Sequence, residues 1–384
     1  MSGFSSIDNL VQSVSENGQF QRTDWQKSML PTTAAVAGEW SCLLRGAGNP
    51  GADSVANTGT NLTFQQLKDS TTNATGIQHG GDVSPSYKHI LNASAFTAAG
   101  TTAPCTLMLV DLLGFYRVTS VTTTTAQSLS NPLVAFSTFT ADPANDTLTH
   151  SNINLMPYTR VQLTTTTTLP AGLSLATDYF IIKVTDTTCK VATTYNNAVA
   201  GTAVDFTDAG TGTHTINTVL PRYTDGSGVQ AFMWNTNATP MGAATPNLSI
   251  GYTNSVSTGS RATPTTLPIG KTGAANGLIL YSGSGNGKFG PFMPLQSTDR
   301  GVAKADTVTI ATSYVSGEFS IGLAKPLLTM PIVATGIASE RDLVNQMPSL
   351  PRVYDGACLV WLMYHGANTP TNSAIYGHLD FGWN

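Results

Sequence analysis

Two glycine-rich stretches have the residue types to do chemistry. The stretch GSGNGKFG, residues 283–290, sets glycines before a lysine, as in a loop that cradles phosphates. Such a loop needs four residues between its first and second glycines and a hydroxyl after the lysine to bind magnesium. Here three residues separate Gly283 from Gly287, and Phe289 stands where the hydroxyl belongs. It also follows the strand-like GLILY without helix-forming sequence after it, so it reads as a surface loop. QHGGD, residues 78–82, matches the glycine-rich oxyanion loop of some hydrolases. That chemistry also needs a Gly-x-Ser-x-Gly elbow between strand and helix. DGSGV and YSGSG match it only through glycine abundance, and His79 reads as a loop residue.

The six histidines (His79, His89, His150, His214, His365, His378) form no i, i+2 or i, i+4 pair, so no local metal site is expected. His365 and His378 are placed to face each other across a C-terminal hairpin, as a polar cross-strand pair. A glycosidase would need two facing carboxylates. Asp111, Asp299, Asp306 and Asp380 are the candidates to supply them, and spacing alone neither pairs nor separates them. The cysteines Cys42, Cys105, Cys189 and Cys358 show no CxxC or CxxH spacing, which argues against a metal or redox site. Cys105 and Cys358 open apolar runs and read as small core residues; a disulfide between them stays open, although a reducing cytosol would seldom form it. No catalytic, cofactor-binding or metal-ligating residue is assigned, no cofactor is expected, and the chain is read as a non-enzyme.

The elements that would position these residues are mostly strands. Only 10% of the 384 residues are charged, against roughly 25% in an ordinary soluble domain. Thr, Ser, Asn, Ala and Gly fill the deficit, which favours strands and turns over helices. The net charge of −4 without a basic cluster argues against nucleic acid as a partner. No apolar run of about 18 residues exists to cross a membrane, and the N-terminus lacks the basic start and apolar core of a signal peptide. The six Asn-x-Ser/Thr sequons, such as those at Asn61, Asn73 and Asn92, are accordingly read as chance in an Asn- and Thr-rich chain.

The expected fold is mainly β: an antiparallel β-sandwich, jelly-roll-like, with a few short helices and a small inserted β domain. Residues 1–30 read as an arm whose helix places Ile7, Leu10, Val11 and Val14 on one face, capped by Ser5 or Ser6 and stopped at Gly18. That helix docks on its own domain or on a neighbouring subunit. Residues 31–137 form the first part of the main domain, with helices expected at TFQQLKD and at SPSYKHILNASAF and a buried strand at CTLMLVDLLGFYRV. Residues 138–218 read as the insertion. TADPANDTLTH leads in, and strands are expected at YTRVQLTTTTT, DYFIIKVTD, CKVATTYNN, AVDFTD and THTIN, with a tight hairpin at VTDTTCKV. Residues 219–384 complete the main domain with regularly spaced strands, one hairpin about Ser316-Gly317 and another ending at the C-terminus.

Several long phrases carry a resemblance. HGGDVSPSYKHILNASAF, PCTLMLVDLLGFY, LPRYTDGSGVQAF, GPFMPLQSTDRGV, LAKPLLTMPI and SLPRVYDGACLVWLMYHG resemble a family of virion structural proteins of tailed bacteriophages. The inserted stretch LPAGLSLATDYFIIKV…CKVATT…AVDFTDAGTGTHTI resembles a small β module of phage structural proteins. In that family AQSLSN runs almost directly into LPRYTDG, which supports the insertion. The resemblance implies a protein of the virion, assembled in the host cytoplasm, with no catalytic residues. Without a continuous amphipathic pattern of 20 or more residues, the long spine helix of the common phage capsid fold has no source here. A capsid decoration (cement) protein follows as the expectation: a homo-oligomer, a trimer, bound to the major capsid protein. The alternative is a tail, baseplate or receptor-binding fibre component.

Overall fold

The computed structural model describes residues 4–29, 34–52, 59–68, 76–98, 102–235, 242, 247–264, 277, 279, 290–346 and 350–384. The GSGNGKFG loop therefore lies outside the described residues apart from Gly290, as do most of GLILY and the sequon at Asn73. Strands account for 46% of the chain and helices for 7%, so the sandwich expected from composition is what forms.

A central sheet organises the molecule. Its two longest strands, Cys105–Val118 and Phe319–Ile332, pair antiparallel along their whole length. Gln230–Trp234 extends the sheet on one side, and Leu359–His365 with Trp40–Cys42 on the other. A register shift opposite Leu323 and Ala324 breaks the pleat near Leu113. Before it, Leu107, Leu109, Leu328 and Met330 pack against a second sheet; after it, Leu113, Tyr116, Phe319 and Ile321 pack against a third. The second sheet joins the ends of the chain: Phe20–Ser28 pairs with the C-terminal strand Ala374–Trp383, which in turn pairs with Lys88–Thr97. The third consists mainly of Leu248–Asn254 and Val302–Ile310. On the opposite face, Val110, Leu112, Phe115 and Ala324 enter a further cluster with Trp40, Phe232 and Trp234, so one pair of long strands serves three apolar cores.

A separate module is a closed barrel of six strands, Val134–Asp142, Thr147–His150, Arg160–Thr165, Asp178–Lys183, Thr188–Ala192 and His214–Thr218. Alternate residues such as Val161, Leu163, Ile181, Val191 and Ile216 fill its interior, while the threonine run 164–168 lies at its largely exposed rim. The hairpin at VTDTTCKV is present, with Lys183 opposite Cys189.

Several expectations need correction. TADPANDTLTH is a barrel hairpin, with Asp142 opposite Thr147, and the barrel starts at Val134. AVDFTD forms no strand; Phe206 instead plugs the core, and a helix, Tyr195–Ala200, occupies part of the stretch read as strand. TFQQLKD and SPSYKHILNASAF form the strands Phe64–Gln66 and Lys88–Thr97, because pairing on a sheet overrides weak helix propensity. In the second case His89, Asn92, Ser94 and Phe96 point away from the core that Ile90, Ala93 and Ala95 enter.

Neither predicted C-terminal hairpin exists. Val302–Ile310 and Phe319–Ile332 belong to different sheets, as do Leu359–His365 and Ala374–Trp383. These turns cross between layers, which an alternating pattern on either side of a glycine does not distinguish from a hairpin. The arm is shorter than 30 residues: only the helical turns Ile7–Val11 and Gln12–Glu16 precede the strand Phe20–Ser28. Ser6 caps the first turn by accepting from Asn9 N at 3.0 Å, Leu10 is buried, and Ile7 and Val11 face outward.

Candidate functional site

None of the carboxylates chosen from the sequence converge on one another. Asp111 is locked to Arg222 by two bonds of 2.6 and 2.8 Å in a fully buried pair. Arg222 also donates to the carbonyls of Leu67 and Leu112, and Asp111 accepts from Cys358 N at 3.0 Å. Such complete satisfaction is what makes an ion pair tolerable in an apolar interior. Asp299 faces Arg261, Asp306 faces Lys304, and Asp380 faces Arg22. Each carboxylate is neutralised in place.

The histidines are equally dispersed. His365 and His378 lie on different sheets, so the proposed cross-strand pair does not exist. His365 is buried between Ser41 Oγ (2.8 Å) and Thr369 Oγ1 (3.0 Å). This serine–histidine contact is sealed in the core, with both residues fully buried, and offers a substrate no approach. His79, from QHGGD, is buried too; burial pushes it down to about 4, so it is neutral at pH 7. Its Nε2 lies 3.1 Å from the Ala357 carbonyl, so that nitrogen carries the proton and donates. The loop wraps a lysine rather than an oxyanion: buried Lys88 Nζ donates to the carbonyls of His79 and Gly81. Among the described residues no group of three or more metal-ligating side chains converges. All four cysteines are buried and none is in a disulfide, with Cys105 and Cys358 in separate clusters. Burial pushes Cys105 and Cys189 up to about 12, which leaves those thiols inert.

The structure brings together a pair that sequence reading missed, Asp82 and Asp355. Asp82 ends the QHGGD loop; Asp355 lies in SLPRVYDGAC, just before the strand Leu359–His365. Their carboxyl groups lie close enough for each to shift the other's titration. Burial first, then the contact with Asp82, pushes Asp355 up to about 7; the same contact holds Asp82 below the usual carboxylate range. The two carboxyls therefore titrate as a pair, Asp355 keeping its proton to higher pH than an ordinary aspartate. It opens on a cavity of about 320 Å³ whose far wall is the barrel, through Phe136, Ser137, Ser151 and Asn152. Backbone N–H groups of Val83 and Ser84 bond Asp355 and Asp82.

Around this seam the barrel is pinned to the sandwich. Tyr87 Oη donates to Asp186 at 2.9 Å, and Arg352 to Asn154 at 2.7 Å. The Arg352 guanidinium is itself held over the rings of Tyr87 and Tyr354. Thr224 Oγ1 meets Thr159 Oγ1 at 2.6 Å and accepts from Met156 N. Nothing in the spacing of Asp82 and Asp355 signals their meeting, since the register of two sheets decides it.

A second feature lies on the outer face of the sheet that joins the chain ends. A shallow groove of about 370 Å³ runs over Gly377, between the stacked rings of Phe96 and Tyr376 and the side chains of Asp24, Asn49 and His378. The sequence shows no aromatic platform because Phe96 and Tyr376 come from distant strands that the register sets opposite each other.

No family model matches this chain. No curated protein matches it either. Among solved structures, the crystal structure of the infectious bursal disease virus VP2 subviral particle aligns over 80% of this chain and 83% of that one, at 10% identity and a TM-score of 0.12. A score that low carries no argument about fold or function.

Proposed function

We propose that this chain is a structural component of a tailed-phage virion, a capsid decoration protein that binds the major capsid protein as a homo-oligomer, a trimer. The observation that carries this reading joins sequence to fold. The phrases resembling phage virion proteins, scattered from residue 79 to 366, supply much of the central sheet, the strand Lys88–Thr97 of the second sheet and the seam. They supply the strands Cys105–Val118, Phe319–Ile332 and Leu359–His365, the Arg222–Asp111 pair and both carboxyls of the seam. The resemblance thus follows the scaffold of the fold.

The distribution of charge supports a structural role. The carboxylates read from the sequence are spent in ion pairs, and the longest described helix has six residues, far short of a capsid spine. A sandwich with three cores and a closed barrel leaves little for a particle lattice to deform. The second reading, a tail or receptor-binding component, draws on the groove over Gly377, an open concavity on an uncovered sheet face.

Copy number separates the two. Quantitative mass spectrometry of purified particles should find hundreds of copies for a decoration protein and at most a few dozen for a tail part. Absence from the particle would overturn both. Substrate turnover by the purified protein, abolished in Asp355→Asn, would replace both with a hydrolytic reading centred on the seam.

A further inference from the structure

We propose that the groove over Gly377 is a binding site for a neutral saccharide, with the sugar ring laid against Tyr376 and its hydroxyls directed to Asp24, Gln26 and Asn49. The argument begins with the floor. Gly377 pairs with Trp25 on one side and Ala95 on the other, in the middle of the sheet. A Cβ there would stand 2.7 Å from the Trp25 ring on the core side, so glycine lets the buried indole lie against the sheet, and the groove floor between Tyr376 and His378 is bare backbone.

Trp25 is 3% exposed and packs on Trp361 on the core side of the sheet, so what the groove offers a ligand is set by its outward-facing walls.

The walls define the chemistry. Phe96 and Tyr376 stack with centroids 5.5 Å apart, and Phe96 is 39% exposed, which gives an aromatic surface open to solvent. The Asp24, Gln26 and Asn49 side chains make no hydrogen bond or ion pair among the described residues, so their acceptors and donors are unspent. No lysine or arginine lines the groove, so an anionic ligand would meet Asp24 uncompensated. A peptide strand has no place to add, because the strands on either side of Gly377 already pair across it. A sugar ring offers what remains: an apolar C–H face for the aromatic surface and hydroxyls for the carboxylate and amides. The site serves a protein of the head or of the tail equally, and particle copy number is read independently of it.

The test uses the full-length protein on an array of neutral hexose and N-acetylhexosamine oligosaccharides, with sialylated and uronate-containing glycans as an anionic arm. Neutral glycans should bind, and calorimetric titration of the best should show affinity falling about tenfold or more in Tyr376→Ala and in Asp24→Asn. Both side chains stand on the outer face, so circular dichroism and melting should stay at wild-type values. If Tyr376→Ala fails to fold, Asp24→Asn and Asn49→Ala carry the test. Failure to bind any neutral glycan, preference for the anionic arm or for unstructured peptides, or binding indifferent to these substitutions would overturn the proposal.

Discussion

The barrel and the sandwich solve the same problem, covering both faces of antiparallel strands, with opposite use of the chain. In the barrel three of the six pairings join neighbours in sequence, as at the hairpin where Lys183 meets Cys189, and the widest spans only the module itself, from Val134 to Thr218. In the sandwich the decisive pairings span the whole protein: Arg22 bonds Asp380 across 358 positions. The barrel therefore has little loop entropy to overcome, whereas the sandwich must close long loops before its cores reward it. The aromatic residues divide as sharply. All five tryptophans (Trp25, Trp40, Trp234, Trp361, Trp383) belong to the sandwich and none to the barrel. Tryptophan fluorescence thus follows one region, and amide exchange over residues 134–218 follows the other.

The largest effect should come from Arg222→Met, which strands Asp111 in the core between the two halves of the central sheet. Breaking a buried pair on one side costs about 3–5 kcal/mol. The tryptophan-detected urea midpoint should fall accordingly, and pairing Arg222→Met with Asp111→Leu should recover much of the loss. A midpoint that does not move would mean that the pair does not bind the cores together.

Leu163→Ala opens the barrel interior instead, at a cost of about 2–5 kcal/mol. Amide exchange should accelerate in residues 134–218 while the tryptophan transition stays in place. An equal fall in both would show that barrel and sandwich unfold as one unit.

The seam should couple the regions to pH. Asp355 is raised in the folded protein, so its contribution is fully present below its ordinary value near 3.8 and is lost as pH rises through about 7. Asp82 is lowered, so its smaller contribution runs the other way and disappears in acid. Buried His79 and His150 and half-buried His89 are lowered as well and add their own loss below the ordinary histidine value of 6.5. The difference between wild type and Asp355→Asn isolates the seam. Between pH 5 and 8 the melting temperature of the variant should decline less than that of wild type. Parallel curves would show that no proton is held there. The smallest effect should be that of Tyr87→Phe, which removes one bond to Asp186 and costs about 0.5–1.5 kcal/mol, visible as faster exchange at the barrel hairpin 178–192.

The same contrast explains what the sequence made legible. The threonine-rich hairpins of the barrel and the buried strand at Cys105–Val118 are local patterns, and they could be read. Strand partners could not: Ser316-Gly317 looks like a hairpin turn, yet the strands beside it enter different sheets. Lys88–Thr97 looked helical because Ser84 and Pro85 resemble a helix start, while the alternation of Ile90, Ala93 and Ala95 with polar residues is blurred by small side chains. The paired carboxyls and the groove were invisible for one reason. Asp82 with Asp355, and Phe96 with Tyr376, become neighbours only through sheet register, which no spacing encodes. The four aspartates chosen in advance proved to be partners of arginine or lysine, a distinction that also depends on distant residues.

One rung of the barrel ladder has a practical corollary. Val134 and Thr218 stand directly opposite each other where the chain enters and leaves the barrel. The sandwich thus presents two chain ends at the separation of adjacent strands, about 4.5–5.5 Å between Cα atoms. Any foreign cassette whose termini lie side by side can be grafted there without moving the scaffold, which makes this position a natural socket for peptide display and for exchange of surface modules between lineages.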